Sequence, residues 1–222
     1  MSDRLAVIAE NGLQFFGKVS ASLSHEIRNV LATLYENAGL LEDLVLMAEK
    51  GRPLDPNRIK DLAGRLKAQV RRGKEIAENM NRFAHSAEEP VASVNLNELL
   101  GLVTSLAQRM ATMRGVTLRT ENPGGTGAVR ADPFLLENLI WVCLDLGTRA
   151  SLQEKTLTVV LDAAEAGARI RFRGFEGVHA LRQDESSVRK LGGLARAAGV
   201  FLAIEEESKE IILSIPRDAD GR

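Results

Sequence analysis

The chain has 222 residues, in which 29 lysines and arginines nearly balance 30 aspartates and glutamates, for a formal net charge of -1. This balance excludes a global attraction to nucleic acid or to an anionic membrane, and neither is expected as a partner. No run of about 18 apolar residues and no signal-peptide pattern is present, so we expect a cytoplasmic protein. The single cysteine, Cys143, lies in an apolar run and is expected to be a buried structural thiol.

Two long amphipathic helices are predicted in the first 85 residues. Apolar residues recur every three or four positions from about Asp3 to Lys50, a proline-rich segment at 51–56 ends this helix, and a second follows from Pro56 to His85. The two stripes contain Leu23, Ile27, Val30, Leu34, Leu41, Leu62, Leu66 and Val70. Because a lone antiparallel hairpin would leave both apolar stripes exposed to solvent, we expect a homodimer that forms a four-helix bundle.

A linker at 86–93 and a second domain are predicted next, which gives domains at 1–88 and 94–222. Helices are expected at 95–114, 131–151 and 186–198. Strands are expected at 116–120, 156–161, 168–172, 200–205 and 210–215. The fold class is therefore two-domain α+β, a helical hairpin followed by an α/β sandwich with a mixed sheet and helices on one face.

The segment Ser24 to Asn29 carries the chemistry of the first helix. Helical periodicity places His25 and Asn29 on one face, opposite the apolar stripe, so His25 is expected to be exposed. An isolated exposed histidine is usually only a solvated side chain. A neutral imidazole is nevertheless a good phosphoryl acceptor, and the adjacent carboxylate of Glu26 can fix its tautomer and stabilise the cation that forms.

This segment resembles the H-box of histidine kinases, which lies on the first helix of their dimerisation and phosphotransfer domain. The resemblance implies that His25 is the phosphorylated residue and that Glu26 is an acid/base that assists transfer. It implies that Asn29 is the polar residue that serves hydrolysis of a partner's aspartyl phosphate. Val30 stands where many members have proline, so we expect a straighter helix here.

The second domain resembles the ATP-binding domain of the same family, with its chemistry missing. The segment 132–139 follows the family's helix, and the two metal-binding asparagines then fall on Val142 and Leu146. Aliphatic side chains cannot ligate magnesium, although a shift of one residue would bring Asp145 near the metal.

The family's adenine-reading aspartate is replaced as well. In the segment Arg169 to Gly177, arginine or glycine stands at its place, and neither side chain can accept a hydrogen bond there. The segment from Val178 to Glu185 is short for a phosphate lid, and Gly192 with Gly193 lies too far along the next helix. We therefore expect no cofactor of its own and magnesium supplied by a partner response regulator.

The sequence thus predicts a histidine phosphotransfer protein that exchanges phosphoryl groups between His25 and aspartates of response-regulator receiver domains. A response-regulator phosphatase and a non-catalytic pseudokinase scaffold remain alternatives. His85 and His179 are interpreted as solvated or capping residues. The second helix is basic, which indicates either a solvated face or steering of an acidic partner. Its cations are Arg58, Lys60, Arg65, Lys67, Arg71, Arg72 and Lys74.

Overall fold

The fold is α+β, as seen in a computed structural model that describes residues 2–88, 90–123, 128–150, 153–176 and 185–218. The helices are α1 (Ser2–Glu49), α2 (Pro56–His85), α3 (Leu96–Met113), α4 (Pro133–Arg149) and α5 (Glu185–Ala197). The strands are β1 (Ala92–Val94), β2 (Thr117–Glu121), β3 (Val129–Ala131), β4 (Thr156–Ala164), β5 (Gly167–Arg173), β6 (Phe201–Glu205) and β7 (Glu210–Pro216). None of these helices is long and apolar enough to cross a membrane.

The chain divides into two compact units, and the boundaries between them fall inside α1 and α2. One unit comprises residues 18–82, and the other comprises residues 1–17 together with 83–222. The first turns of α1 and the end of α2 therefore belong to the same unit as the α/β sheet.

The unit of residues 18–82 is an antiparallel helical hairpin. Glu26 in the middle of α1 pairs with Arg72 just past the middle of α2, and Gly73 packs against Val30. The predicted bounds of both helices are confirmed to within one residue, and α1 continues through Val30 without a break. Leu23 and Leu62, predicted at the dimer seam, are 5% and 6% exposed within a single chain. Their apolar surface is thus already covered inside the hairpin.

The α/β unit contains a mixed five-stranded sheet in the order β2-β4-β5-β7-β6, in which only β2 and β4 run parallel. Leu157, Ile170 and Leu213 are fully buried on one face, where α4 approaches so closely that Gly147 meets Leu157.

Asp132 and Pro133 open α4 as predicted, because the Asp132 carboxylate accepts a 2.9 Å hydrogen bond from the backbone N–H of Leu135. Burial raises the pKa of the Cys143 thiol on this helix.

Two short strands were not predicted. β1 lies partly inside the predicted linker and pairs antiparallel with β3, with Ala92 opposite Ala131. Three-residue strands carry too few positions to show a period, which explains why the sequence pattern missed them.

An aromatic cluster joins the N-terminal part of α1 and the C-terminal end of α2 to α4 within the larger unit. The ring of Phe15 lies 5.3 Å from Phe83, 5.5 Å from Phe134 and 5.7 Å from Trp141, measured between centroids. Phe15 and Phe83 are both 2% exposed. Such tilted and edge-on contacts stabilise the packing beyond their buried area.

Candidate functional site

His25 lies in the middle of α1 and is half-buried, whereas the helical pattern predicts an exposed side chain. The amide Nδ2 of Asn29, one helical turn further on, lies 3.2 Å from Nδ1 of the imidazole. Nε2 has no hydrogen bond to any other part of the chain that the structure describes. One ring nitrogen is therefore held by Asn29, and the other is available to a group that approaches from outside.

The surface beside His25 is open. Ser24, Arg28, Asn29 and Ala32 are all exposed, so no described side chain covers this part of α1. A phosphoryl group carried by a folded partner could reach the ring without unfolding the helix. The structure thus confirms the predicted proximity of His25 and Asn29 on one face.

Glu26 points to the other side, toward α2. Its side chain is 18% exposed, and its Oε2 lies 3.7 Å from Nη2 of Arg72. Glu26 therefore flanks His25 in sequence but is engaged by a guanidinium, and no hydrogen bond joins it to the imidazole among the described residues.

The predicted metal positions on α4 do not fit magnesium. Val142 and Leu146 are 8% and 7% exposed and present only hydrocarbon. Asp145, the acid that a shift of register would bring to the metal, is held by two cations. Arg114 donates to its Oδ1 at 2.8 Å, and Arg149 donates to its Oδ2 at 2.5 Å. Both carboxylate oxygens are thus already neutralised.

The predicted adenine position does not fit a nucleotide either. Arg173 ends β5, and its Nε donates to Oε1 of the buried Glu210 at 2.8 Å. Gly174 follows with φ 110°, and a Cβ there would lie 2.4 Å from the carbonyl oxygen of Thr156. Neither side chain can accept a hydrogen bond from the adenine amine, as a carboxylate would. Gly177, His179 and the predicted lid up to residue 184 lie outside the described residues.

The remaining candidates behave as ordinary surface groups. His85 Nδ1 lies 2.9 Å from Oε2 of Glu88, and both side chains are largely exposed. The seven cations of α2 named above are all exposed. Within the described ranges, no cluster of histidine, cysteine, aspartate and glutamate could hold a metal ion.

Sequence reasoning missed the pairing of Arg72 with Glu26. Arg72 appeared only as one member of a basic helix, because its partner lies 46 positions earlier in the chain. The signal that could have found it is the register of the hairpin, which a short turn fixes once both helices are placed.

No family model matches this sequence, and no curated protein matches it. The solved structures that resemble it include the catalytic domain of histidine kinase ThkA, at 13% identity and TM-score 0.49, which covers 60% of this chain and 100% of that chain. A bacterial phosphotransferase matches at 16% identity and TM-score 0.46, with 90% of this chain and 95% of that chain covered. The complex of ThkA with response regulator protein TrrA matches at 15% identity and TM-score 0.46, with coverage of 100% and 65%. Similarity at this level assigns this chain neither an activity nor a partner.

Proposed function

We propose that this protein is a histidine phosphotransfer protein that exchanges phosphoryl groups between His25 and the aspartates of response-regulator receiver domains. The observation that carries the proposal is the state of the His25 ring, with Nδ1 engaged by Asn29 and Nε2 free beside an open surface. A solvated surface histidine needs no partner on its own helix. A nucleophile does, because its ring must be held in line with the phosphorus atom.

The reaction balances with these residues alone. The attacking species is the neutral tautomer with its one proton on Nδ1: Nε2 attacks the phosphorus of an aspartyl phosphate, a P–N bond forms, the P–O bond breaks, and the aspartate leaves as a carboxylate. The ring retains one proton on Nδ1 and becomes cationic. The amide of Asn29 can accept that proton's hydrogen bond by a half-turn that exchanges its oxygen and nitrogen. The reverse reaction uses the same groups.

The resemblance implies an acid/base role for Glu26, and in this proposal it acts through its charge, because its carboxylate faces α2. Its carboxylate lies on the residue next to His25, and a negative charge there favours the imidazolium that develops during transfer. No nucleotide takes part, since the residues at the metal and adenine positions do not fit one. The magnesium that neutralises the phosphoryl oxygens belongs to the receiver domain in this scheme.

The proposal includes a homodimer that forms a four-helix bundle. A second apolar stripe runs along α1 beside the one that packs on α2, and its residues are Leu31, Leu34, Ala38, Leu41 and Val45. Leu31 is 59% exposed and Val45 is 47% exposed in the single chain. Their alternating spacing of three and four residues is that of a coiled-coil seam, which a second copy would cover.

The test of the function is transfer of ³²P from phosphorylated receiver domains, followed for the protein and two variants. We expect His25→Ala to abolish labelling and onward transfer, because it removes the nucleophile. Asn29→Ala should slow transfer without abolishing it, because the ring loses its hydrogen bond at Nδ1, and it should also slow the loss of label as free phosphate.

The two alternative functions predict different effects of His25→Ala and Asn29→Ala in the same assay. A dedicated phosphatase would be crippled by Asn29→Ala and would keep appreciable hydrolysis after His25→Ala. A scaffold without catalysis would respond to neither change. Either of these patterns would contradict the proposed phosphotransfer.

A further inference from the structure

Glu26 occupies a position on α1 that faces the second helix of the hairpin. Leu23, three residues earlier, and Val30, four residues later, are both 5% exposed and lie on the same stripe. The Glu26 side chain is only 18% exposed, whereas Arg28 and Asn29 are exposed. A carboxylate withdrawn from water in this way needs a compensating charge.

Arg72 supplies that charge, and it forms the only ion pair of Glu26 within the described part of the chain. The two helices lie close together at this level because Gly73 faces Val30. A Cβ at position 73 would already touch Val30 Cγ1 at 3.4 Å. The packing of the hairpin therefore sets the guanidinium beside the carboxylate.

This pair is poorly suited to a purely structural role. The Nη2 to Oε2 distance of 3.7 Å is longer than a direct hydrogen bond, and the Arg72 side chain is 56% exposed. Because the arginine half of the pair is open to solvent and its contact is long, the pair contributes little to stability. The main effect of the pair is therefore to orient the Glu26 carboxylate.

We propose that Arg72 is a positioning residue for phosphoryl transfer at His25 and that it acts through Glu26, an inference that rests on the function proposed above. The guanidinium fixes the Glu26 carboxylate on the α2 side of α1, one residue along the helix from His25, and from there its negative charge stabilises the cation formed when Nε2 accepts phosphorus. No bond to Arg72 forms or breaks. The neighbouring Arg71 is exposed, has no ion pair with a described residue, and serves as its matched control.

The experiment measures phosphorylation of His25 from two donors, the small molecule phosphoramidate and a phosphorylated receiver domain. We expect Arg72→Gln to lower the maximal rate about fivefold with both donors and to leave the half-saturating receiver concentration unchanged. Arg72→Lys should restore most of the rate, and Arg71→Gln should match the wild type. In a Glu26→Gln background, Arg72→Gln should have no further effect, since the two residues act as one unit.

Several results would overturn the inference. Wild-type rates for Arg72→Gln, an equal loss in Arg71→Gln, or a full additional loss in the Glu26→Gln background would each remove the link between Arg72 and Glu26. A changed half-saturating concentration with an unchanged maximal rate would assign Arg72 to partner steering instead. If phosphoramidate labels His25 and no receiver does, the proposed function fails while the variant series with phosphoramidate still decides the role of Arg72. If neither donor labels His25, both proposals fail.

Discussion

The hydroxyl of Ser86 lies 2.8 Å from a carboxylate oxygen of Glu137, and both side chains are buried. Ser86 follows directly after α2, and Glu137 lies in the first half of α4. This hydrogen bond joins the residue after α2 to α4 within the larger unit, at a point where the sequence suggested only a linker. A buried carboxylate depends on such donors, because water cannot replace them.

Ser86→Ala should therefore lower the free energy of unfolding by about 1–3 kcal/mol, because it removes a hydrogen-bond donor to a buried carboxyl oxygen. Urea unfolding followed by circular dichroism measures this difference. Ser93→Ala is the control, since Ser93 is exposed, and its effect should stay within about 0.5 kcal/mol. Equal stabilities for the two variants would show that the Ser86 bond contributes nothing.

The contact between Gly147 and Leu157 gives a second prediction. A Cβ on Gly147 would lie 2.7 Å from Cδ2 and 3.0 Å from Cδ1 of Leu157, which is fully buried in β4. Gly147→Ala should destabilise the protein by about 1–3 kcal/mol through overpacking between helix and sheet.

Gly101→Ala is the matched control for that change. Gly101 also lies inside a helix, α3, and a Cβ there would meet nothing within 4 Å. Alanine should stabilise this position by roughly 0.5–1 kcal/mol, because it restricts the unfolded chain. Thermal unfolding should thus show shifts of opposite sign, and shifts of the same sign would contradict the packing described for α4.

The proposed dimer seam is tested by two neighbouring leucines on different faces of α1. Leu41 belongs to the exposed stripe and is 39% exposed, whereas Leu40 lies outside that stripe and is 48% exposed. Leu41→Glu would bury an unpaired charge between two copies and should convert the dimer to a monomer, while Leu40→Glu should leave it intact. Multi-angle light scattering distinguishes them. A monomeric wild-type protein at micromolar concentration would refute the bundle.

Nucleotide binding is expected to be absent. Val142 and Leu146 offer no oxygen ligand, and the Asp145 carboxylate is paired with Arg114 and Arg149. Titration calorimetry with ATP and magnesium should give no heat of binding. A micromolar dissociation constant would show that other parts of the chain form a nucleotide site.

Periodicity predicted the helices and the longer strands because each spans several repeats of its pattern. It placed α1, α2 and the central strands β4 and β5 within a few residues of their observed bounds. The same periodicity identifies a buried face without identifying what covers it. For that reason the sequence predicts Leu23 and Leu62 as dimer contacts, although both are already buried within a single chain.

The candidate site was predictable where its residues are close in sequence. His25 and Asn29 share a helical turn, so their contact follows from helix geometry. The pair of Glu26 and Arg72 depends on the register between two helices, and the three-residue strands depend on pairing across the fold. Such contacts between distant parts of the chain depend on packing, so a local sequence pattern does not predict them.

The most direct measurement of the central claim is the location of the phosphoryl group. The protein is incubated with ³²P-labelled receiver domains and magnesium without nucleotide, the reaction is quenched in alkali to preserve phosphohistidine, and the labelled residue is mapped by mass spectrometry. We predict an acid-labile label on His25 that returns to an unlabelled receiver domain when one is added. A protein that stays unlabelled under these conditions, or carries its label at another residue, would contradict the account.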